Sequence, residues 1–294
     1  MGMICILCAI FSYIFTKILM KIMVNYKYGV DLHKKDRSKV PEMGGIVPVL
    51  LSALFISFLF NPIISLVLFL SGIIGIYDDL YKLSPYKKLV LLGLIGIPVG
   101  YLLFGFDIIK IITLVFGISI SSNLTNMLAG FNGLEIGLGI ISAFFLGIVL
   151  LLNGDYFGFE IVMLFISSYL GFFMLNKYPA RVFPGDVGTL PIGAFLATVS
   201  IWRNVVPEFI IIMMPYITDA FLKYYSAGIT KREEHKPTTL GNDGKLYVAG
   251  GYLSLPRIIL KKIPMKENII VMTLWGISIF FGILAILFDI FLKQ

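Results

Sequence analysis

The chain alternates long apolar runs with short polar loops, and ten of the runs approach the length of a membrane span. A bilayer core about 30 Å thick requires roughly 20 mainly apolar residues per helix, and shorter spans of about 17 occur. Because the runs are continuously apolar, they predict helices. We place the ten spans at residues 2–24, 44–60, 63–77, 88–104, 108–128, 134–152, 157–176, 189–203, 208–228 and 267–291.

The composition places the chain in the class of membrane proteins. Hydrophobic residues make up 58% of the 294 residues, charged residues only 14%, and the mean hydropathy is +0.94. Soluble domains carry about 25% charged residues. The first run has no basic segment before it and no small-residue cleavage site, so we interpret it as a retained span. We therefore expect one all-α, polytopic membrane domain over residues 1–294.

The basic residues predict the orientation of this domain. When the ten spans alternate, one side receives the loops at residues 25–43, 78–87, 129–133, 177–188 and 229–266. All but four of the 24 Lys and Arg residues lie on that side or at its helix ends. An excess of basic residues marks the cytoplasmic side. We therefore predict external termini and an active site on the cytoplasmic face of the cell membrane. Because the basic residues serve as topology signals, the net charge of +7 does not imply a nucleic-acid partner.

Acidic and amide side chains collect on the predicted cytoplasmic face. Asp78 and Asp79 end the third span, and Asp186 follows a Pro-Gly turn before the eighth span. Asn123 and Asn126, one helical turn apart at the end of the fifth span, face the same side. Each feature also has a plain alternative: a solvated acid pair, an N-cap, or an amide hydrogen bond between helices. Their occurrence on one face favours a functional site.

The residue types in these clusters indicate a hard metal ion and a phosphorylated substrate. Carboxylates and amides favour Mg²⁺, with Mn²⁺ as the alternative, and the two cysteines, Cys5 and Cys8, both lie in the first span. The lysines that follow Asp79 suit a diphosphate. His33 and His235 lie in polar loops, where a lone histidine is usually exposed and inert. A site at the lipid boundary suggests that one reactant is a membrane lipid.

Five motifs resemble the polyprenyl-phosphate N-acetylhexosamine-1-phosphate transferases over nearly the whole chain. In chain order they are DLHKKDRSKVPEMGG, DDLYKLSPYKKL, NLTNMLAGFNGLEIG, FPGDVGTLPIGA and HKPTTLGNDGKL. The resemblance implies ten transmembrane helices and a cytoplasmic active site. It also implies transfer of a sugar 1-phosphate from a UDP-sugar to a polyprenyl phosphate, with release of UMP.

The resemblance also implies roles for individual residues. Asp78 and Asp79 match an aspartate pair near the lipid phosphate, and Lys88 matches a lysine that contacts phosphate. Asn126 and Asp186 match the Mg²⁺ ligands. Gly130, Asn132 and Phe183 match the uridine pocket, where Phe183 would stack on uracil. We assign His235 to the catalytic group with Asp78, Asp79 and Lys88, and we add three residues to the substrate-binding group: Glu42, Arg232 and Lys236.

The last loop carries the sequence information on the sugar. Bacterial peptidoglycan members have a run of histidines there, whereas this loop has His235 alone, which argues against a MurNAc-pentapeptide substrate. In the GlcNAc enzymes arginines flank the histidine. Glu234 and Lys236 stand at those positions here, so Arg232 or Lys231 would compensate.

We therefore expect UDP-GlcNAc and a polyprenyl phosphate, in its dolichyl form, as the reactants of the first membrane step of lipid-linked oligosaccharide assembly. Another UDP-N-acetylhexosamine stays open, and so does a homodimer. A transporter is the alternative from another class, but its polar residues would follow a path through the bilayer instead of lying on one face.

Overall fold

Helices account for most of the computed structural model, which describes residues 1–34, 39–228 and 238–292. Within these residues the structure has twelve helices: α1 (Gly2–Met23), α2 (Ile46–Leu59), α3 (Pro62–Tyr81), α4 (Pro85–Phe104), α5 (Ile108–Met127), α6 (Leu134–Leu152), α7 (Tyr156–Asn176), α8 (Asp186–Trp202), α9 (Val206–Ile212), α10 (Met214–Ala227), α11 (Leu255–Lys262) and α12 (Glu267–Leu292). The all-α, polytopic fold class is confirmed.

Two short hairpins interrupt the helical chain. Strands β1 (Tyr28–Val30) and β2 (Lys39–Pro41) pair antiparallel, and so do β3 (Thr239–Leu240) and β4 (Leu246–Tyr247). The sequence predicted polar loops at both places and did not predict α11, which follows the second hairpin.

Seven of the described helices are long and apolar enough to cross a membrane, namely α1, α3, α4, α5, α6, α7 and α12. Helices α2 and α8 are apolar but have only 14 and 17 residues. The structure divides the span predicted at residues 208–228 into two helices, α9 and α10, which meet at Met213. Pro215 explains the break, since a proline inside a helix removes one backbone hydrogen bond and clashes with the preceding turn.

Helix α8 lies at the centre of the bundle, and its residues 186–201 are all buried. Glycines let neighbouring helices approach it closely. A Cβ atom on Gly75 of α3 would clash with the Val187 backbone, and one on Gly193 would clash with the Ser121 carbonyl of α5. Small residues allow such backbone-to-backbone packing between membrane helices. The packing holds the first residue of α8, Asp186, beside the ends of α3 and α5.

A second set of polar residues ties the helices together at the opposite end of the bundle. The Arg203 guanidinium, just after α8, pairs with both oxygens of Asp155, just before α7. Asn153, after α6, donates from Nδ2 to Oδ1 of Asp289 in α12 at 2.9 Å. These contacts restrain the helix ends that lie away from Asp186.

Candidate active site

A cavity of about 630 Å³ lies at the end of the bundle where α3 and α5 finish and α8 begins. Residues from all five predicted cytoplasmic loops, or from the helix ends next to them, line the cavity. Eight predicted site residues line it: Glu42, Asp78, Asp79, Asn126, Gly130, Asn132, Phe183 and Asp186. Lys88 contacts two of these carboxylates. The predicted residues Arg232, His235 and Lys236, with their neighbours Lys231 and Glu234, lie outside the described residues.

Lys88 joins two aspartates that come from different helices. Its ammonium forms an ion pair with Asp78 of α3 and lies 2.7 Å from Oδ2 of Asp186 in α8. Pro85 starts α4 and Ser84 caps it, which places Lys88 in the first turn of the helix. Asp78 and Asp186 are 5% and 2% exposed. One cation therefore stands between two carboxylates in a buried environment, where electrostatic interactions are strong.

Asp79 caps the N-terminus of α8 from a neighbouring helix. Its Oδ1 accepts the N–H of Asp186 at 2.9 Å, and its Oδ2 accepts the N–H of Val187 at 3.1 Å. The N-cap residue of α8 itself is Gly185, which has no side chain to satisfy these amides. The structure thus gives Asp79 a structural contact that the sequence did not indicate. Its catalytic role stays a prediction.

Asn126 bridges α5 and α8 beside the acidic cluster. Its Nδ2 donates to Oδ2 of Asp186 at 3.1 Å, while its Oδ1 accepts from the Thr189 hydroxyl at 2.8 Å. Asn123, predicted to face the same side, instead donates to the Ser119 carbonyl one turn earlier in its own helix at 2.8 Å. Of the two amides, only Asn126 contacts the cluster.

The donor set around Asp186 fits a hard divalent cation. Asp78, Asp79 and Asp186 bring three carboxylates together, and Lys88 supplies one positive charge among them. Oxygen ligands of this kind suit Mg²⁺. For Asn126 to contribute an oxygen, its amide must turn Oδ1 towards Asp186, an exchange of two atoms of nearly the same size. The metal role of Asn126 and Asp186 stays a prediction.

A second polar cluster is formed by Asp31, His33, Asn132 and Glu267, and the first three of these residues line the cavity. The backbone N–H of Asn132 donates to Oε1 of Glu267 at 2.7 Å, and its Nδ2 donates to Oδ2 of Asp31 at 2.9 Å. The His33 ring stacks on Phe131 with 5.3 Å between centroids. Its Nδ1 lies 3.3 Å from Oε1 of Glu267.

Ligand atoms of Asp31, His33 and Glu267 lie within 4.8 Å of one another, a spacing that suits a metal ion. Protein donors already contact both carboxylates, because Asn132 reaches both and the Lys34 ammonium lies 3.3 Å from Oδ2 of Asp31. We therefore describe this cluster as a hydrogen-bond network. From the sequence, His33 was identified only as a loop histidine, and Asp31 and Glu267 were not identified as site residues. The available signals were the Asp-x-His spacing and an acid at the start of the last span.

The other predicted uridine-pocket residues, Gly130 and Phe183, line the same cavity as this second cluster. Gly130 has φ of +109°, and its N–H donates to Oε1 of Glu135 at 3.0 Å. Phe183 and Glu42 both lie next to Gly29 of β1, where an added Cβ would stand 3.1 Å from the Phe183 ring. The hairpin β1–β2 therefore covers one side of the cavity. The roles of Gly130, Phe183 and Glu42 stay predictions.

Arg257 and Tyr252 also line the cavity, and neither was predicted from the sequence. The Arg257 Nε donates to the Tyr252 carbonyl at 3.1 Å, and the guanidinium lies 4.7 Å from the Tyr252 ring. Burial raises the pKa of the Tyr252 hydroxyl, although Arg257 acts in the opposite direction. The available signal was an arginine followed by an apolar run, in a short amphipathic segment after Pro256.

The fold and this cavity define a polytopic membrane protein with an acid-rich, phosphate-compatible site at one end of its helices. Residues 61–204 match the model of Glycosyl transferase family 4. A protein of Methanocaldococcus jannaschii named "Putative glycosyltransferase" is 56% identical over 289 residues, which cover 97% of this chain and 95% of that protein. The chain belongs to Glycosyl transferase family 4, and the motif resemblance is confirmed.

Two further relatives carry more specific names. One from Sulfolobus acidocaldarius, "Putative UDP-N-acetylglucosamine--dolichyl-phosphate N-acetylglucosaminephosphotransferase", is 30% identical over 89% of this chain and 87% of its own length. One from Prochlorococcus marinus, "Phospho-N-acetylmuramoyl-pentapeptide-transferase", is 30% identical over 86% of this chain and 76% of its own length. The family thus includes relatives named for two different sugars.

Proposed function

We propose that this protein transfers GlcNAc 1-phosphate from UDP-GlcNAc to a polyprenyl phosphate, in its dolichyl form, and releases UMP. The observation that carries the proposal is the cluster of Asp78, Lys88, Asn126 and Asp186, which joins α3, α4, α5 and α8 at the cavity. The family membership supplies the reaction class. The excess of basic residues supports a cytoplasmic site.

In this reaction an oxygen of the lipid phosphate attacks the β-phosphorus of UDP-GlcNAc. The bond between that phosphorus and the bridging oxygen breaks, and UMP leaves with the oxygen and its electron pair. One of Asp78 and Asp79 orients the lipid phosphate or takes its proton. Lys88, now held between Asp78 and Asp186, moves its charge towards the phosphate oxygens.

Asp186 and Asn126 would hold Mg²⁺, or Mn²⁺ in its place. When bound, such an ion neutralises the charge of a diphosphate and orients it for in-line displacement. Asp79 keeps the N-terminus of α8 in place, so that Asp186 faces the cavity. Glu42, Gly130, Asn132 and Phe183 would bind the nucleotide, with Arg232, His235 and Lys236 near the diphosphate and sugar.

The choice of GlcNAc over MurNAc-pentapeptide has two supports. The archaeal relative named for GlcNAc is matched over more of its length than the bacterial one, and the last loop has one histidine instead of a run. The Prochlorococcus relative keeps the MurNAc-pentapeptide substrate as the second candidate. Another UDP-N-acetylhexosamine is the third.

The test measures UMP release by purified protein in detergent and lipid. UDP-GlcNAc, UDP-GalNAc and UDP-MurNAc-pentapeptide are each combined with dolichyl phosphate or undecaprenyl phosphate, with and without Mg²⁺. We expect UMP only when UDP-GlcNAc, lipid phosphate and metal are all present. UMP release without lipid phosphate, or no release with any pair, would contradict the proposal.

The matched variants are Asp186→Asn and Asp107→Asn. Asp186→Asn keeps the size of the side chain but removes a charged metal ligand, so UMP release should fall to below about 1% of wild type. Asp107 caps α5 at the opposite end of the bundle, and its variant should stay within about twofold on the same scale. Activity of Asp186→Asn near wild type at limiting Mg²⁺ would remove the metal assignment.

A further inference from the structure

Two carboxylates from distant parts of the chain hold the side-chain amide of Asn132. Its Nδ2 donates to Oδ2 of Asp31 at 2.9 Å and lies 3.4 Å from Oε2 of Glu267. The backbone N–H of the same residue donates to Oε1 of Glu267 at 2.7 Å. Asp31 and Glu267 are only 3% and 4% exposed. These contacts are therefore buried, and losing one would leave a polar group without its partner.

The two acids fix which way the amide points. A carboxylate accepts hydrogen bonds and has none to donate, so it must face the NH₂ group of Asn132 and not its carbonyl. Reversing the amide would place Oδ1 against two carboxylates. The orientation of an asparagine amide is assigned from such a network, and here both neighbours give the same answer.

The carbonyl oxygen of Asn132 is the part of the amide left for a ligand. None of the hydrogen bonds formed among the described residues uses Oδ1 of Asn132 as an acceptor. Asn132 lines the cavity, although it is only 5% exposed. An acceptor in this place selects a ligand that presents an N–H or O–H donor.

The two acids are themselves held in place. Asp31 accepts the His33 backbone N–H at 3.0 Å and pairs with the Lys34 ammonium. The other face of the network is the His33 ring, which contacts Glu267, stacks on Phe131, and lies 2.8 Å from the Thr238 hydroxyl through Nε2. The network thus joins the loop after β1, the loop before α6 and the first residue of α12. Side chains restrained in this way support a precise ligand site.

We propose that Asp31 and Glu267 are positioning residues that make the nucleotide site specific for uracil over cytosine. The inference rests on the proposed function, in which the cavity receives a uridine nucleotide. By holding the NH₂ group of Asn132, the two acids direct Oδ1 towards the N3–H of the base. Uracil carries that donor between two carbonyl groups. Cytosine has an unprotonated N3, whose lone pair would face the Oδ1 lone pairs.

The chemical consequence is discrimination by an unpaired polar group. A site built to bond a substrate N–H or O–H rejects an analogue that lacks it by factors of about 10⁴ to 10⁵ in favourable cases. Both UMP and CMP have the same ribose and phosphate. Their difference in binding therefore reports the contact at N3 and the neighbouring exocyclic group, separately from phosphate binding.

The first measurement uses the wild-type protein and three probes: UMP, CMP and N3-methyl-UMP. Calorimetry in detergent gives the dissociation constant of each. We expect CMP and N3-methyl-UMP to bind at least about 100-fold more weakly than UMP. Equal binding of UMP and CMP, or of UMP and its N3-methyl derivative, would overturn the inference.

The second measurement uses the variants Asp31→Asn and Glu267→Gln, with Glu160→Gln as the control. An amide next to Asn132 offers both a donor and an acceptor, so it permits either orientation of the Asn132 side chain. We expect the ratio of the CMP to the UMP dissociation constant to fall at least tenfold in each variant. Glu160, near the start of α7 and away from the cavity, should leave the ratio unchanged.

The ratio separates positioning from a merely structural effect. A variant that only loosened the fold would weaken UMP and CMP binding equally, and that result would overturn the inference. If one variant fails to fold, the other variant and the comparison of UMP with N3-methyl-UMP binding to the wild type still test the inference. UMP release from UDP-GlcNAc in the wild type is scored separately. Activity with no base preference refutes this inference alone, whereas base preference without lipid-dependent UMP release refutes the proposed reaction alone.

Discussion

Gly185 meets two demands that no other residue satisfies. Its φ of +68° and ψ of 172° lie in a region that is essentially reserved for glycine. A Cβ atom at this position would also stand 2.5 Å from Oδ2 of Asp79, the oxygen that accepts the Val187 N–H. The residue before Asp186 therefore sets both the turn into α8 and the space for its cap.

Replacing Gly185 by alanine should disturb the site more than the backbone strain alone would. We expect Gly185→Ala to lower UMP release at least about 100-fold, because Asp79 must move away from α8. Gly154→Ala is the matched control, since Gly154 has φ of +73° but nothing within 4 Å of an added Cβ. Its cost should be limited to strain of roughly 1–3 kcal/mol, seen as a lower melting temperature with normal turnover per folded molecule. Equal losses of turnover in the two variants would contradict the role of Asp79.

Phe183 tests the nucleotide part of the same cavity. If its ring stacks on the base, Phe183→Ala should raise the UMP dissociation constant about tenfold, within the roughly 1–3 kcal/mol that base stacking contributes elsewhere. Phe183→Tyr keeps the ring and should restore most of the affinity. Calorimetry with UMP measures both. Unchanged affinity in the alanine variant would remove Phe183 from the pocket.

At the scale of elements, α8 is fixed at both ends by side chains from other segments. Asp79 of α3 caps its N-terminus, and Arg203 after its C-terminus pairs with Asp155 before α7. Burial raises the pKa of Asp155, but the hydrogen bonds and charge of Arg203 outweigh it, so the pKa lies below its usual value. Only the first clamp belongs to the cavity. The second should affect stability without affecting chemistry.

Arg203→Gln should therefore lower stability in a pH-dependent way. Because the folded pKa of Asp155 lies below the unfolded value of about 3.9, the pair stabilises the protein above that pH and loses its effect as the pH falls through the folded pKa. We expect a loss of about 1 kcal/mol at pH 7, roughly 2–4 °C in melting temperature, and a smaller gap near pH 3. Arg203→Lys, which keeps the charge but not the two-pronged geometry, should fall between. A gap that is constant with pH, or a loss of turnover per folded molecule, would refute this role.

At the scale of the whole molecule, the cavity exists because five separate segments meet at one end of the bundle. The segments belong to loops that the alternation of spans places on one side. The same alternation and the basic residues predict that this side is cytoplasmic and that the termini are external. The cavity wall combines acidic and amide groups with four basic residues, Lys27, Lys82, Lys223 and Arg257.

Cysteine labelling of intact cells tests this orientation. After replacement of Cys5 and Cys8, a cysteine at Asp243 of the second hairpin should react with an impermeant reagent only after the membrane is opened. A cysteine at Phe106, which is 85% exposed between α4 and α5 at the opposite end, should react from outside. Labelling of position 243 in sealed cells would reverse the predicted topology. Labelling of neither position in opened cells would contradict the exposure of both loops.

The sequence by itself determined the helical membrane class, most helix positions and eight of the residues that line the cavity. A membrane span depends on the summed hydropathy of its own residues, so a local stretch of sequence is enough to predict it. The chemical types of Asp78, Asn126 and Asp186 are likewise evident from their motifs. Pro215 could also have been read as a break, yet the apolar run around it suggested one span.

Only the tertiary structure decided which polar atoms meet. Asp79 accepts a hydrogen bond from the backbone N–H of Asp186, which lies 107 positions later in the chain. Asn132 donates to Asp31 and to Glu267, which lie near opposite ends of the sequence. The role of each side chain depends on the direction of its free lone pairs or hydrogens, and its partners fix that direction. Helix packing around α8 brings these partners together. The pairing of buried polar groups therefore depends on the folded arrangement and not on any one segment.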